Sequence, residues 1–183
     1  MTGVPDSLEL SLSRLIRDVP DFPTAGVVFK DISPLLADHD GFSAVVQALA
    51  AVGRDPSGVT VVDKVAGIEA RGFILAAPVA LALGAGFVPV RKEGKLPGPT
   101  HSESYSLEYG TATLQIHQDA LAPGERVLLI DDVLATGGTA AATISLIERS
   151  GAHVEALAVL IELGFLHGRD QLGSQRLVAL SSV

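Results

Sequence analysis

One segment, VLLIDDVLATGGTA at residues 127–140, constrains the fold of this chain more than any other. Its apolar run predicts a buried strand over residues 126–131, and that strand ends in two adjacent acids. Small and hydroxylated residues follow, and then a predicted helix from about Gly138 to Ser150, closed by Gly151. Ligands of open α/β sheets bind at such strand-to-helix turns, so the segment predicts a fold class together with a binding site.

The turn between this strand and helix predicts a phosphate site. Its backbone N–H groups are not obstructed by bulky side chains, and hydroxyls and a helix N-terminus stand beside them. Asp131 and Asp132 would repel a phosphate unless they face other groups, such as ribose hydroxyls or Mg²⁺. The turn lacks the lysine of a Walker loop and the glycine spacing of a dinucleotide fingerprint, and a plain capped helix start is the alternative. The predicted phosphate residues are Ala135, Thr136, Gly137, Gly138 and Thr139.

Predicted strands and helices alternate over most of the chain. The predicted strands cover residues 59–65, 87–90, 126–131, 154–161 and 176–180. Residues 104–109 and 111–117 alternate around Gly110 and resemble two antiparallel strands. We therefore expect an α/β fold, an open and mostly parallel twisted sheet flanked by helices, with an antiparallel hairpin at a flexible loop.

Residues 73–90 carry no charge and just reach the length of a transmembrane helix. Pro78, Gly84, Gly86 and Pro89 interrupt the run, which favours a buried helix to about Leu83, a turn and a short strand. The first residues lack the basic and apolar regions of a secretory signal. We expect a cytoplasmic protein that does not enter a membrane.

The first forty residues predict a small lobe beside this sheet. A helix capped by Ser7 is expected to run to about Val19, with Leu8, Leu12, Leu15 and Ile16 on one face. A second helix is expected to start at Asp40. With 183 residues the chain predicts one domain, divided into a lobe at about 1–40 and a core at about 41–183. The absence of cysteine excludes disulfides and a thiol nucleophile.

Two further polar clusters predict anion binding. The sequence Glu69-Ala70-Arg71-Gly72 combines open backbone with one guanidinium that can hold phosphate oxygens, although an ion pair of that arginine with Glu69 is the alternative. Arg91, Lys92 and Lys95 lie in a predicted mobile loop at 91–104, where a solvated charged face is the alternative. Because the net charge is −8, nucleic acid is disfavoured as a partner, and a local cationic cluster would serve to attract a small polyanion.

The motif at 127–140 resembles the phosphoribosyl pyrophosphate (PRPP) signature of the type I phosphoribosyltransferases. Four other segments narrow the resemblance to the adenine phosphoribosyltransferase family, and the matches span about residues 8 to 180. These segments are DFPTAGVVFKDISPLL at 21–36, GIEARGF at 67–73, FVPVRKEGKLPGPT at 87–100 and YSLEYGT at 105–111. The resemblance implies transfer of the phosphoribosyl group from PRPP to adenine, giving AMP and pyrophosphate in purine salvage.

The resemblance also assigns roles to residues. Asp131, Asp132 and residues 135–139 would hold the ribose and 5′-phosphate. The pyrophosphate would contact Glu69, Ala70, Arg71, Arg91, Lys92 and Lys95, with a cis peptide bond at Glu69–Ala70. The hood over adenine would contain Val28, Phe29 and Lys30. Glu108 would handle the proton at N7 of the base, Arg71 would also reach towards the base, and Tyr109 would help to close the loop.

The resemblance further implies Mg²⁺, held mainly through PRPP instead of by direct protein ligands, and a homodimer. Two alternatives differ in function. A phosphoribosyltransferase for xanthine or hypoxanthine would usually carry a different base-contacting segment from the hood and the YSLEYG run. A purine-responsive regulator should lack Glu108 or carry an added DNA-binding domain, and this chain has Glu108 and is acidic.

Overall fold

The computed structural model describes residues 6–106 and 110–183, which form two compact units divided between Ala48 and Leu49. The first unit contains helix α1 (Asp6–Leu15), strands β1 (Arg17–Pro20) and β2 (Val28–Asp31), helix α2 (Ser33–Ala37) and the first part of helix α3 (His39–Val52). β1 and β2 pair antiparallel, with Arg17 opposite Asp31. A 2.6 Å ion pair between these two side chains reinforces the short ribbon.

The predicted helix from Ser7 to Val19 is wrong at its C-terminal end. The helix ends at Leu15, and the next residues form β1. Pro20 disfavours a helical conformation at Val19, and pairing with a strand further along the chain then decides the conformation. The helix α2, with Pro34 in its first turn, was not predicted.

The second unit is built on a seven-stranded sheet in the spatial order β5-β6-β4-β3-β7-β8-β9. Its strands are β3 (Lys64–Ile68), β4 (Gly86–Lys92), β5 (Thr100–Ser106), β6 (Thr111–His117), β7 (Arg126–Leu134), β8 (His153–Glu162) and β9 (Leu177–Ser182). The five strands β4-β3-β7-β8-β9 are parallel to one another. β5 and β6 form an antiparallel hairpin, and β6 pairs antiparallel with β4 at the edge of the parallel strands. Helices α4 (Arg71–Leu83) and α5 (Gly138–Arg149) follow β3 and β7. The predicted fold class is therefore confirmed.

Three predicted strand boundaries were wrong. The strand expected at 59–65 begins only at Lys64, because its pairing with β7 starts there and Asp63 binds the backbone N–H of Arg126 at 2.8 Å. The strand expected to stop at Asp131 runs on to Leu134, since β8 pairs with it beyond the two acids. The loop expected at 91–104 is shorter, because Arg91 and Lys92 belong to β4 and β5 begins at Thr100.

The core of the second unit lies between the sheet and its helices. The centre of β7 is fully buried, as expected for a parallel strand covered on both faces. Val90, Leu129, Leu146 and Leu157 belong to one buried cluster that joins four of the elements. None of the described helices is long and apolar enough to cross a membrane.

Candidate active site

The carboxyl ends of β3 and β7 bring two of the predicted clusters together. The strands are adjacent and parallel, with Gly67 opposite Ile130, so the loops that leave them start side by side. Their contact is close at Gly72, where an added Cβ would lie 2.9 Å from Oδ1 of Asp131 and 3.1 Å from the carbonyl oxygen of Ile130. A side chain at Gly72 would therefore separate the two loops.

Arg71 and Asp132 form an ion pair across this contact. Nη2 of Arg71 lies 2.6 Å from Oδ2 of Asp132. The carboxylate is largely buried, with 9 % of its side chain exposed, while 35 % of the arginine side chain faces solvent. The guanidinium therefore offsets the charge of the buried acid and still presents part of its surface to an incoming anion.

Asp131, the neighbouring acid, lies in a different electrostatic environment. Burial raises its pKa well above the ordinary value, and the negative charge of Asp132 raises it further. The backbone N–H of Asp132 donates to Oδ1 of Asp131 at 2.9 Å, which offsets only part of this effect. The carboxyl of Asp131 therefore holds its proton more tightly than an exposed aspartate does.

We expect Asp131→Asn to stabilise the chain near neutral pH. A raised folded pKa means that the stability contributed by Asp131 is present below the unfolded value of 3.8 and is lost as the pH rises through the folded pKa. Asparagine carries no titrating group, so Tm should rise by about 2–4 °C, the shift that about 1 kcal/mol gives at this length. Thermal unfolding at neutral and acidic pH measures the effect, which should vanish below the unfolded pKa.

The matched control is Asp63→Asn, because the hydrogen bonds from Arg126 hold the pKa of Asp63 below its usual value. A lowered folded pKa contributes stability above the unfolded value, so this replacement should destabilise the chain at neutral pH. A decrease in Tm for both variants would contradict the assignment of a raised pKa to Asp131.

The predicted phosphate loop leaves β7 and enters α5 at Gly138. The N-cap residue is Gly137 (φ +88°), and no side chain caps this helix, so helix capping does not account for the two threonine hydroxyls. Thr139 donates to the hydroxyl of Tyr105 on β5 at 3.1 Å. A cavity of about 80 Å³ is lined by Asp131, Val133, Ala135, Thr136, Gly137 and Thr139, among other residues.

The second predicted anion cluster is held together by Glu69. The Glu69–Ala70 peptide bond is cis, as the resemblance implied. Oε2 of Glu69 accepts hydrogen bonds from Nε of Arg91 at 3.2 Å and from the backbone N–H of Lys92 at 3.0 Å. Nη1 of Arg91 donates in turn to the carbonyl of Lys95 at 3.1 Å. Glu69 thus positions the cationic segment, a contact that the sequence did not indicate.

The predicted adenine residues lie in the first unit, on β2. The ring of Phe29 packs edge-on against Phe22, with centroids 5.1 Å apart. Nζ of Lys30 donates to both carboxylate oxygens of Asp18, at 2.7 and 2.9 Å. Glu108 and Tyr109 lie outside the described residues.

Two residues that sequence reasoning missed contact the phosphate loop. Tyr105 accepts the hydrogen bond from Thr139, and the backbone of Gly168 packs against Ala135 and Gly137. Tyr105 is the first residue of the YSLEYGT segment, but no role was predicted for it. Gly168 carries no local signal at all, because its requirement for a small residue arises only from chain packing.

Comparison with known proteins places this geometry in one family. The family described as phosphoribosyl transferase domain matches residues 36–172. An adenine phosphoribosyltransferase of Nocardioides is 68 % identical over 92 % of this chain and 91 % of its own length. An adenine phosphoribosyltransferase of Thermobifida fusca is 56 % identical over 94 % of this chain and 96 % of its own length.

Solved structures show the same similarity. The adenine phosphoribosyltransferase of Thermoanaerobacter pseudethanolicus has a TM-score of 0.89 at 46 % identity, covering 96 % of this chain and 99 % of that one. The Saccharomyces cerevisiae structure, a complex with adenine and an iminoaltritol bisphosphate, has a TM-score of 0.90 at 36 % identity, with 95 % and 98 % coverage.

Proposed function

We propose a mechanism from one premise: the chain belongs to the phosphoribosyl transferase domain family, among the adenine phosphoribosyltransferases. It is an enzyme that transfers the 5-phosphoribosyl group of PRPP to adenine and forms AMP and pyrophosphate. The bond from C1 of the ribose to pyrophosphate breaks, and a bond from C1 to N9 of adenine forms. The observation that carries this conclusion is the identity over nearly the whole of both chains to adenine phosphoribosyltransferases.

The 5′-phosphate is assigned to residues 135–139. Three features support the assignment: the loop follows the carboxyl end of a central strand, it opens a helix, and it borders a small cavity. Backbone N–H groups at a helix start point towards such a ligand and bind anions. The binding atoms are then the amides of Ala135, Thr136, Gly137, Gly138 and Thr139, with the two threonine hydroxyls.

The ribose is assigned to Asp131 and Asp132. These carboxyl groups lie near the carboxyl end of β7, a few residues before the phosphate loop. They would accept hydrogen bonds from the ribose hydroxyls. Their carboxyl oxygens, and above all the negative charge of Asp132, would also favour the positive charge that develops at C1 as pyrophosphate leaves.

The pyrophosphate is assigned to the second cluster. Arg71, through its exposed part, and the open backbone at Glu69 and Ala70 would hold it at the end of β3. Arg91, Lys92 and Lys95 would add positive charge, because Glu69 and the Lys95 carbonyl already fix the guanidinium of Arg91 beside this loop. Positive charge there would stabilise the leaving group.

The adenine contacts are assigned to Val28, Phe29 and Lys30. Phe29 would pack near the ring, while backbone groups of Val28 and Lys30 would bind the amine and N1 of the base. The ion pair of Lys30 with Asp18 supports a backbone role for this lysine, because its side chain is engaged elsewhere. Tyr109 would contribute to closing the loop over the site.

Glu108 is assigned to the proton at N7 of adenine, because a proton there leaves a lone pair on N9 for attack at C1. We expect Glu108→Gln to lower kcat by about tenfold, less than a full acid–base step supplies, since water can also take the proton. The measurement is the pH profile of kcat for both enzymes. The control is Glu103→Gln, the same change at a glutamate of β5; an equal loss in both variants would contradict the assignment.

Mg²⁺ is proposed to arrive with PRPP and to be held mainly by oxygens of that substrate. The carboxylates of Asp131 and Asp132 are hard oxygen donors that suit this ion, but Asp132 is already paired with Arg71. Among the described residues, no group of three or more acids and histidines could hold a metal ion. When bound, Mg²⁺ would neutralise charge on the leaving pyrophosphate.

A homodimer in the cytoplasm is proposed as the working form. Support for association comes from apolar side chains on α4 and at the start of β4: Ile74, Leu81 and Phe87 are 43 %, 83 % and 37 % exposed. Burial of such side chains against a second copy would remove apolar surface from water. Light scattering on the purified chain measures the mass, and a monomer at working concentration would contradict the proposal.

The experiment that tests the function offers PRPP and Mg²⁺ with adenine, hypoxanthine, guanine or xanthine in separate reactions. AMP from adenine, with pyrophosphate in equal amount, is the expected result. Turnover of a 6-oxopurine in place of adenine would contradict the assigned base. Binding of PRPP without turnover of any base would favour a regulator.

A further inference from the structure

The phosphate loop rests on a segment that follows β8, the short helix Gly168–Leu172. At Gly168 an added Cβ would collide with the carbonyl oxygen of Ala135. At Gly137 an added Cβ would collide with the carbonyl oxygen of Gly168 and would come within 3.0 Å of Cβ of Gln171. Backbone therefore packs directly on backbone, and a shift of this short helix would move the loop with it.

A charged pair fastens the start of this short helix to the sheet. Nε and Nη2 of Arg169 donate to Oε1 and Oε2 of Glu162, at 3.0 and 2.6 Å. The carboxylate of Glu162 is largely buried, with 11 % of its side chain exposed, and the two parallel bonds fix both position and orientation.

The anchor point of this pair lies beside the origin of the phosphate loop. Glu162 is the last residue of β8 and pairs with Leu134, the last residue of β7. The backbone N–H of Leu163 also donates to the carbonyl of Leu134 at 2.9 Å. One end of the clamp is thus fixed where the phosphate loop begins, and the other end carries the glycine that packs on that loop.

We propose that Arg169 is a positioning residue for PRPP: by clamping to Glu162 it holds Gly168 against residues 135–137 and fixes the amides that receive the 5′-phosphate. The inference rests on the proposed role of residues 135–139. The guanidinium of Arg169 is engaged by Glu162, and we assign it no contact with substrate. Arg169 should therefore strengthen the binding of ligands that carry the 5′-phosphate, namely PRPP and AMP, and should have no effect on the binding of adenine.

The test compares Arg169→Met with Arg126→Met. Arg126 makes a similar two-bond pair with Asp63, at 3.2 and 3.1 Å, but at the opposite end of β7. For Arg169→Met we expect the KM of PRPP to rise about tenfold while the KM of adenine stays within about twofold. Arg126→Met should leave both constants within about twofold. Equal rises for both substrates, or equal effects in both variants, would overturn the inference.

Two further variants keep the test decisive. Glu162→Gln retains the shape of the pair and should also raise the KM of PRPP. It therefore tests the inference even if Arg169→Met fails to fold.

Thr136→Val tests the phosphate loop itself. If Thr136→Val raises the KM of PRPP and neither clamp variant does, only the inference fails; if Thr136→Val has no effect, the phosphate assignment itself fails.

Discussion

Gly137→Ala should lower kcat/KM for PRPP by about 100-fold or more, since misplacing a binding group by about 1 Å costs that much. Gly137 has φ +88°, a conformation that alanine adopts at a cost, and an added Cβ would collide with the carbonyl oxygen of Gly168. The chain can relieve the collision only by moving the loop or the short helix beneath it. Steady-state kinetics with varied PRPP measures the loss.

The matched control is Gly58→Ala. Gly58 has nearly the same φ, +87°, but an added Cβ there meets nothing within 4 Å. This variant carries the backbone cost without the collision, so kcat/KM should stay within about twofold of the wild type. Comparable losses of activity in both variants would show that backbone strain, and not the packing of the phosphate loop, is responsible.

Arg71→Met should lower kcat by about 100-fold, because the variant loses a positive charge where pyrophosphate leaves. It also leaves the buried carboxylate of Asp132 without its partner at 2.6 Å. That should lower the free energy of unfolding by about 1–2 kcal/mol, less than for a fully buried pair because the arginine is partly exposed. Single-turnover kinetics and denaturant unfolding measure the two effects separately.

Adding Asp132→Asn to Arg71→Met separates stability from catalysis. Asparagine removes the unpaired buried charge, so the double variant should recover most of the stability that Arg71→Met loses. Its kcat should remain at least as low, since the lost positive charge is not replaced. Recovery of kcat together with stability would mean that Arg71 acts only on the fold and does not contact the leaving group.

The parts of the site that one short segment encodes could be predicted from the sequence. Residues 127–140 combine an apolar run, two acids and a glycine turn, and the structure places β7, the loop and α5 there. Parallel pairing was also predictable from alternating strands and helices. The order of the strands in the sheet was not predictable. The 2.6 Å contact between Arg71 and Asp132 depends on β3 lying beside β7, so the sequence did not indicate it.

The wrong strand boundaries and the missed packing contact have one physical cause: these features depend on residues that are distant in the sequence. Strand β1 exists because residues 28–31 pair with it, and that pairing overrides the helical pattern before Pro20. The β-branched run at 59–65 predicted a strand there, but pairing with β7 begins only at Lys64, and the strand ends at Ile68. Gly168 must be small because Ala135 lies against it, a contact with no trace in the neighbouring residues.

The loop after β7 is assigned to the 5′-phosphate, and a crystal structure of the enzyme with AMP and pyrophosphate tests this assignment most directly. Under this assignment, the phosphate of AMP should lie within hydrogen-bond distance of the backbone amides of residues 135–139, with the ribose hydroxyls bound to Asp131 and Asp132. An AMP phosphate bound at Arg71 and Glu69, with the loop after β7 empty, would contradict it.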